Sequence, residues 1–401
     1  MLTSHALGEV AAAPSAPAPA AVRPAYDIEI LRDPEAARLR LAAAFASGAA
    51  TPFQAPGWLS TWYATVGPAH HAEPLLVFVS ERGTGRPVAA LPLIRHRTGG
   101  LEVVAFADLG VTDYNAPILG PAAPTSADAA RAMWSSIAAA LPPADLIQLR
   151  KMPASVRGEP NPMVALRGAH ASHSPGFSVA MPEAWDTYLQ SLSKKFRKEL
   201  GRSLRRFEEA GGGFRRIETM DEAKHVLQTM KGQQSARLEE MGTRFALEDD
   251  DYHAFYEDLV GGGLQDGTTI LTALTYGDEL VAALLGIADA TSFTMVRLSH
   301  AGGDWMKVGP GRLVIERTMR LLHARGCRHF DFSIGDYPYK SGFGVEPSPL
   351  FDLVIAQSWR GRFSSARNLA KVAVKRGLKA CGVSLVPQAV KDRYRRYHQS
   401  N

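Results

Sequence analysis

The chain of 401 residues alternates between two hydrophobic spacings, and the order of the alternation is similar in its two halves. Apolar residues at every second position predict strands, and a spacing of three or four predicts helices. The first half predicts two helices, three strands, a helix and a strand, at 34–47, 56–66, 75–80, 88–95, 101–107, 126–141 and 145–150. The second half predicts helix, strand, two helices, three strands, helix and two strands, at 183–210, 214–218, 221–241, 249–260, 269–276, 280–288, 293–300, 310–325, 328–333 and 351–357.

Two copies of one pattern predict a duplicated α/β (α+β) fold, with two mixed sheets flanked by helices. The predicted domains are residues 26–182 and 183–358. Residues 1–25 are rich in Ala and Pro and predict an unstructured tail. Residues 359–401 lie outside the repeat and predict a basic helical tail, with a helix over 363–380.

Residues 291–344 carry the most informative local pattern. A strand is followed by a glycine loop, and Val308-Gly309-Pro310-Gly311-Arg312 opens a helix. Pro310 suits the first helical position, and the two flanking glycines let the backbone approach a ligand. The start of a helix attracts anions, so a phosphate site is one interpretation and a simple turn is the other. The sequence of this segment matches neither the glycine-rich dinucleotide-binding motif nor a Walker phosphate-binding loop.

Composition narrows the class of protein. Hydrophobic residues make up 46% and charged residues 21%, as in an ordinary globular protein. Two cysteines, Cys327 and Cys381, are too few for a disulfide framework and favour a cytoplasmic setting. The histidines at 5, 70, 71, 170 and 173 lack the spacing of metal ligands, so no metal is expected. No apolar run is long enough to span a membrane, and the proline-interrupted N-terminus does not resemble a signal peptide.

Charge is concentrated at one end. Residues 360–401 hold eleven Lys and Arg and one Asp, a net +10, so the remaining chain is −5 within a total of +5. The tail therefore predicts an affinity for anionic surfaces, including the inner face of a membrane.

Several motifs resemble GNAT-type acyltransferases of the CelD/BcsL kind, which are relatives of the Fem aminoacyltransferases. The strongest is FDFSIGDYPYKSGFG at 330–344. The others are VAALLGI (281–287), the strand ending Leu298-Ser299-His300, VGPGRLVIER (308–317), TPFQAPGWLSTW (51–62), ADLGVTDYNAPIL (107–119) and LSKKFRKELGRSLRRFEEAGG (192–212). The resemblance spans most of 50–357. One position departs from it, since Met306 stands where the family's pyrophosphate loop usually has Gln or Arg.

The resemblance implies an acyl-CoA-dependent N- or O-acyltransferase, with acetyl-CoA or another acyl-CoA as co-substrate. Backbone N–H groups of a splayed strand would bind the thioester carbonyl, here within 298–300. The implied cofactor contacts are Leu298, Ser299, Val308, Gly309, Gly311 and Arg312.

Four side chains are candidates for catalysis. Lys340 is predicted to stabilise the oxyanion or hold the acceptor, Tyr339 to donate a proton, and Asp331 to orient one of them. His300, at a strand end, is a candidate base. The structural alternative is that the tyrosine packs, the lysine is solvated, the aspartate caps a turn and the histidine has no chemical role.

Two further groups are candidates for binding the acceptor. Asp113, Tyr114 and Asn115 could bind hydroxyl or amine groups, although Asx turns explain the same letters. Arg197 and Lys198 lie on the cationic side of the 183–210 helix and suit a phosphorylated acceptor such as a nucleotide sugar. A solvated helix face is the alternative for that pair.

Three functions therefore remain open. The first is acyl-CoA-dependent transfer to an amine or hydroxyl of a sugar-derived or amino compound, with a role in exopolysaccharide or cellulose production implied by the resemblance alone. The second uses aminoacyl-tRNA as donor, as Fem relatives do, and is the one route by which a nucleic acid would be a partner. The third is a non-catalytic adaptor whose tail docks on anionic lipid or on a synthase complex.

Overall fold

The computed structural model describes residues 25–241 and 250–367. In these two ranges, helices flank two principal β-sheets. The helices are α1 (Pro34–Ser47), α2 (Pro56–Ala64), α3 (Val66–Ala69), α4 (Ala127–Ala140), α5 (Trp185–Ser191), α6 (Lys194–Glu209), α7 (Met220–Met241), α8 (Asp250–Gly263), α9 (Pro310–Ala324) and α10 (Pro338–Ser341). Residues 359–367 are also helical and are called the 359–367 helix below.

The strands follow in chain order, and two short ones, β7 and β8, form a separate hairpin. They are β1 (Tyr26–Leu31), β2 (Glu73–Glu81), β3 (Pro87–Thr98), β4 (Leu101–Phe106), β5 (Ile118–Leu119), β6 (Leu146–Pro153), β7 (Ser155–Val156), β8 (Glu159–Pro160), β9 (His170–Ala171), β10 (Gly176–Ala180), β11 (Gly212–Arg216), β12 (Thr269–Tyr276), β13 (Glu279–Ala288), β14 (Ser292–His300), β15 (His329–Ile334), β16 (Glu346–Ser348) and β17 (Leu350–Ala356).

The two sheets are built on one plan, as the sequence predicts. The N-terminal sheet has the order β1-β2-β3-β4-β6-β17-β9, with β5 paired to β3, and the C-terminal sheet has the order β11-β12-β13-β14-β15-β10-β16. Each contains an antiparallel meander, then a crossover helix that leads to a parallel neighbour: α4 joins β4 to β6, and α9 joins β14 to β15. The predicted duplicated fold with two mixed sheets is therefore confirmed.

The sheets do not divide where the sequence predicts the domain boundaries. Strand β10 precedes residue 183, yet it pairs with β15 and β16 of the C-terminal sheet. Strand β17 lies near the end of the predicted C-terminal domain, yet it pairs with β6 and β9 of the N-terminal sheet. Each sheet thus takes one strand from the other side of the predicted boundary, and the chain crosses between the halves more than once.

Most predicted elements are present with small shifts at their ends, and the exceptions have local causes. Strands β1, β5 and β16 and the strands between 155 and 180 were not predicted, because strands of two to six residues carry little periodic signal. The single helix predicted at 183–210 is two helices, since Ser193 breaks the path and its hydroxyl caps α6 by accepting a hydrogen bond from the N–H of Phe196 at 3.2 Å. The predicted loop 335–340 runs into the short helix α10.

The predicted tails fall largely outside the described residues. Residues 1–24 lie outside them, and so does everything after residue 367, including most of the predicted 363–380 helix. Within 25–241 and 250–367, no helix is long and apolar enough to cross a membrane.

The alternation of side chains along β15 positions the site. Phe330 and Phe332 are buried in the apolar cluster beneath α6 and α9. Asp331 and Ser333 therefore point to the opposite face of the sheet, towards the N-terminal half. The two halves also meet through aromatic rings, because Trp58 of α2 lies edge-on to Phe255 of α8 with 5.0 Å between ring centroids.

Candidate active site

Strands β14 and β15 separate in the middle of the C-terminal sheet. Their parallel pairing covers only Ser292–Thr294 against His329–Asp331. Beyond that point β14 continues to His300 with β13 as its partner, and a register shift between Met295 and Arg297 marks the place where it bends. One edge of β14 therefore has no strand partner over its second half, where the Leu298 carbonyl accepts a hydrogen bond from the Gln234 side chain at 3.2 Å.

A cavity of about 240 Å³ lies at this separation and is called the split cavity. It is bounded by the end of β14, the start of α9, the α10 segment, and one side chain each from α6 and α7. Its lining residues are Phe196, Arg237, Leu298, His300, Gly309, Gly311, Arg312, Tyr337, Pro338, Tyr339, Ser341 and Gly342.

The start of α9 closes one end of the split cavity. Gly309 has φ 58°, a left-handed conformation that glycine adopts at low cost, and Pro310 occupies the first helical position. A Cβ on Gly311 would lie 3.2 Å from the ring of His300, so the absence of a side chain keeps this end open. Arg312 folds back over the Gly309 turn and lies 3.7 Å from Glu199 of α6. A helix start with an adjacent guanidinium suits a phosphate group.

The structure separates the predicted cofactor residues into two groups. Leu298, Gly309, Gly311 and Arg312 line the split cavity. Ser299 does not, because its hydroxyl donates to Gln233 of α7 at 2.8 Å on the other face of β14. Val308 packs against the apolar cluster beneath α9 instead of lining the cavity.

His300 and Tyr339 both line the split cavity, as a role in chemistry or binding requires. Burial lowers the pKa of His300, against the hydrogen bond to the Ala301 carbonyl, and the positive charge of Arg237 acts in the same direction as burial. Tyr339 stacks on Tyr337 with 6.0 Å between ring centroids. Arg237 and Tyr337 are site residues that sequence reasoning missed: the tyrosine lies within the 330–344 motif, whereas nothing in the sequence marks the arginine.

Asp331 lies where β14 and β15 part, and it joins the two halves of the chain. It accepts hydrogen bonds from the Tyr114 hydroxyl at 2.8 Å and from the Ser333 N–H at 2.6 Å. The Ser333 hydroxyl in turn donates to Asp113. The sequence predicts an acceptor site at Asp113 and Tyr114 and a separate catalytic site at Asp331. In the structure these three residues form one hydrogen-bonded group with Ser333, which is called the acid cluster. Ser333 is a member that sequence reasoning missed, although it also lies within the 330–344 motif.

Burial dominates the electrostatics of the acid cluster. It raises the pKa of Asp331 to about 6, although the hydrogen bonds from Tyr114 and Ser333 and the charge of Lys340 act in the opposite direction. Burial likewise raises the pKa of Asp113. The Tyr114 hydroxyl has a pKa well above its usual value, so it stays protonated and donates. A carboxylate with a pKa near 6 can accept a proton at neutral pH.

Lys340 is neither solvated nor exposed to the split cavity. Its ammonium donates to the main-chain carbonyls of Ser333 and Ile334, each at 2.9 Å, and lies 5.1 Å from the ring centroid of Phe177. Burial lowers its pKa to about 8, against the attraction of Asp331 and Asp113. The predicted role as oxyanion donor stays a prediction, and the contacts show a lysine that holds the end of β15 in place.

We expect Lys340→Ala to lower the free energy of unfolding by about 1–3 kcal/mol, since two carbonyls would lose their donor in a buried site. Urea denaturation at pH 7 measures this loss. Lys307→Ala is a suitable control, because that lysine is exposed and pairs only with Asp304. Equal stability of both variants would show that water replaces the Lys340 ammonium without cost.

A second cavity, of about 480 Å³, opens on the other side of Asp331 and is called the inter-sheet cavity. It lies between the two halves and is rich in hydroxyl groups, from Thr51, Tyr114, Ser155, Ser178, Thr291, Ser292, Thr294 and Ser348. Arg157 and Asp289 form an ion pair of 3.1 Å across its wall. Asp331 lines this cavity and also marks the point where the strands begin to separate, so it lies between the two cavities.

The remaining predicted acceptor residues have other positions. The Asn115 amide donates to Asp108 and to the carbonyl of Arg150, so it braces its own loop. Arg197 is half-buried and Lys198 is exposed on α6, and neither lines the two cavities. Their helix borders the split cavity through Phe196.

The equivalent separation in the N-terminal sheet is closed by side chains. Strands β4 and β6 pair over only Val103–Ala105 and Leu146–Gln148. Beyond that, Lys151 forms an ion pair of 2.8 Å with Asp108 and links the ends of the two strands. Only the C-terminal copy among the described residues therefore combines separated strands, a glycine-rich helix start and a cavity. The same described residues contain no cluster of side chains suited to a metal ion.

Comparison with known proteins agrees with this geometry. Residues 194–341 match the profile of the acetyltransferase (GNAT) domain. Residues 194–341 are called the GNAT domain below, after the profile that they match. The matched residues include β14 and β15, the two strands that separate at the split cavity. The match supports an acyltransferase activity.

Solved structures show the same fold at low identity. The crystal structure of FemX is 11% identical, with 80% of this chain and 96% of that chain covered and a TM-score of 0.57. A conserved protein of unknown function from Bacteroides thetaiotaomicron is 10% identical, with 83% and 100% covered and a TM-score of 0.50. No curated protein sequence matches this chain significantly. The predicted GNAT relationship is thus confirmed, while the narrower CelD/BcsL relationship stays a prediction.

Proposed function

We propose that the GNAT domain transfers an acyl group from an acyl-CoA, with acetyl-CoA as the first candidate, to the amine or hydroxyl of a small acceptor. The observation that carries the proposal is the separation of β14 and β15 directly beside the glycine-rich start of α9. The helix start and Arg312 would hold the pyrophosphate. The free edge of β14 would hold the pantetheine arm and bind the thioester carbonyl through its N–H groups.

Distance along β14 distinguishes two candidate bases. His300 contacts the Gly311 position at the phosphate end of the split cavity, whereas Asp331 pairs with Thr294 earlier in β14 and lines the inter-sheet cavity. Six strand residues separate these points, which is about 20 Å at 3.3 Å per residue. The thioester lies at the far end of the cofactor from the pyrophosphate, so Asp331 is the better-placed base, and His300 is assigned to cofactor binding.

The proposed step conserves atoms and charge. The acceptor nitrogen or oxygen attacks the thioester carbon and gives its proton to Asp331, while the β14 amides stabilise the oxyanion. The new C–N or C–O bond forms, the C–S bond breaks, and the thiolate takes a proton from Tyr339, which lines the split cavity. Lys340 and Tyr114 act through Asp331 and β15, and so are positioning residues.

The acceptor would enter through the inter-sheet cavity. Hydroxyl side chains and the Arg157–Asp289 pair are suited to a polyhydroxylated compound with an amine, such as an amino sugar. A sugar-linked acceptor also agrees with the exopolysaccharide role that the family resemblance implies. A nucleotide-sugar acceptor would extend towards cationic side chains such as Arg157.

A second candidate donor is aminoacyl-tRNA. The exposed face of α6 is strongly cationic and lies beside the split cavity, so it could bind a phosphate backbone. The fold shared with FemX is compatible with this donor but does not identify it.

Thermal-shift measurements separate these candidates. We expect acetyl-CoA to raise the melting temperature, because a ligand present at 100 times its Kd stabilises the native state by ~2.7 kcal/mol. Longer acyl-CoAs and bulk tRNA are the comparison ligands. A shift with tRNA alone would support the aminoacyl donor, and no shift with any of them would favour the non-catalytic adaptor.

A further inference from the structure

The 359–367 helix presents an unusual outer face. Trp359 is 77% exposed and Phe363 is 68% exposed, whereas large apolar side chains are mostly buried elsewhere in the described chain. A spacing of four residues places both rings on one side of the helix, with Ala366 beside them. Arg362 and Arg367 are exposed and flank this apolar strip on either side.

The opposite side of the same helix is held firmly against the N-terminal sheet. Gly361 is packed so closely that a Cβ there would lie 2.0 Å from the carbonyl oxygen of Asp145. The Gly361 N–H donates to the Ser358 hydroxyl at 3.1 Å, and Arg360 lies 3.6 Å from the Asp145 carboxylate. The aromatic face is therefore presented outwards by a fixed helix start and cannot turn inwards without breaking these contacts.

Positive charge predominates around this face. The tip of the β3–β4 hairpin touches the helix through Arg360 and Gly100, and the nearby Arg97, with 71% of its side chain exposed, lies 3.9 Å from Glu102. The sequence that continues from residue 368 to 401 holds eight Lys and Arg and one Asp, a net +7. An apolar aromatic strip between arginines is the pattern of helices that lie in the interface of an anionic bilayer.

We propose that the outer face of the 359–367 helix docks on an anionic lipid bilayer. Trp359 and Phe363 enter the headgroup and acyl boundary, where tryptophan is favoured. Arg362 and Arg367 remain at the level of the lipid phosphates. The proposal does not depend on the acyl-transfer reaction, and it gives the enzyme a defined side towards the membrane.

Co-sedimentation of the full chain with vesicles tests the proposal. Binding to phosphatidylglycerol–phosphatidylcholine vesicles is expected at low salt, with much less binding to phosphatidylcholine alone. Trp359→Ser combined with Phe363→Ser should lower the partition coefficient by about tenfold or more, since both rings lose their burial in lipid. Leu39→Ser is the matched control, because Leu39 of α1 is 72% exposed on another element and should not affect binding.

Two further variants separate the helix face from the basic tail. Trp359→Phe should keep vesicle binding yet reduce the quenching of tryptophan emission by brominated lipid. Arg362→Gln with Arg367→Gln should weaken binding and flatten its dependence on salt. Wild-type sedimentation of the double serine variant would overturn the proposal, since the tail alone would then bind. A lipid-free dimer that the serine variant dissociates would also overturn it, by showing that a second copy covers this face.

Discussion

Asp331→Asn is expected to lower turnover by ~10²- to 10⁴-fold, the usual effect of removing a general base. The affinity for acetyl-CoA should be unchanged, because the proposed phosphate contacts lie about 20 Å from Asp331 along β14. Release of coenzyme A, measured with a panel of amino-sugar and amino-acid acceptors, gives the rate, and calorimetry gives the affinity. Wild-type turnover in this variant would remove Asp331 from the chemistry.

The Asp331→Asn variant should remain folded, so a loss of rate can be interpreted. The asparagine oxygen can still accept from the Tyr114 hydroxyl and the Ser333 N–H. Burial raises the pKa of Asp331 to about 6 in the folded state. A carboxyl whose pKa is raised by folding destabilises the protein as pH rises from its unfolded pKa near 4 to about 6, and the cost persists above that. Asparagine removes this cost at neutral pH.

The dependence of the rate on pH gives a second test of the same assignment. A base must be deprotonated, so kcat/KM of the wild type should rise with pH through about 6 and then level off. The Tyr114 hydrogen bond holds the pKa of Asp331 down, and Tyr114→Phe should therefore move this rise to higher pH. If Tyr114 had only a structural role, Tyr114→Phe would change the rate but not the pH at which kcat/KM increases.

Asp113→Asn is the matched control for the acid cluster. Asp113 is also a half-buried carboxylate whose pKa is raised by burial, and it accepts a hydrogen bond from Ser333 instead of facing the inter-sheet cavity. We expect a smaller loss of turnover and a retained rise of the rate near pH 6. Loss of that rise in Asp113→Asn, with the rise retained in Asp331→Asn, would identify Asp113 as the base.

Gly311→Val is expected to weaken acetyl-CoA binding by ~10²-fold, since its branched side chain would occupy the place of the pyrophosphate at the start of α9. The Cβ alone would lie 3.2 Å from the His300 ring and 3.8 Å from Leu298, so the additional methyl groups must project into the split cavity. Calorimetric titration with acetyl-CoA measures the change.

Gly302→Val provides the control for Gly311→Val. Gly302 lies before the 3-10 turn Gly303–Val308 that leads to α9. It has an extended conformation, with φ −84°, and a Cβ there meets no atom within 4 Å. We expect it to bind acetyl-CoA as the wild type does. Equal affinity of both variants, with unchanged melting temperatures, would place the pyrophosphate outside the Gly309–Arg312 turn.

Local patterns were enough to predict the centre of the GNAT domain. The alternation of apolar and polar residues predicts strands β14 and β15. Helix α9 is predicted by Pro310 at its start and by Gly326, which has φ 94°, just after its end. These signals act between residues close in sequence, because strand and helix periods are set by backbone geometry. The positions of Gly309, Gly311 and Arg312 at the cavity follow from the same short segment.

The partners of distant residues could not be obtained in this way. The sequence predicts β17 as a strand but does not predict β10, and it does not show which sheet either one joins. Only the packing of the two halves places β10 beside β15 and β17 beside β6. The hydrogen bond between Tyr114 and Asp331 spans 217 positions, and the sequence predicted two separate sites there. Lys340 shows the same limit, since a lysine in a loop motif was expected in solvent or at the reaction centre.

The sequence by itself thus determined most of the elements, their duplication and the glycine-rich helix start, because each depends on residues close together along the chain. The tertiary structure decided which strands share a sheet and which edge of β14 lies open. It also decided that Asp331, Asp113 and Tyr114 form one cluster, and that Ser299 and Lys340 turn away from the split cavity. Burial, which produces the raised pKa of Asp331, depends on everything that packs around a group, and so it appears only when the two halves come together.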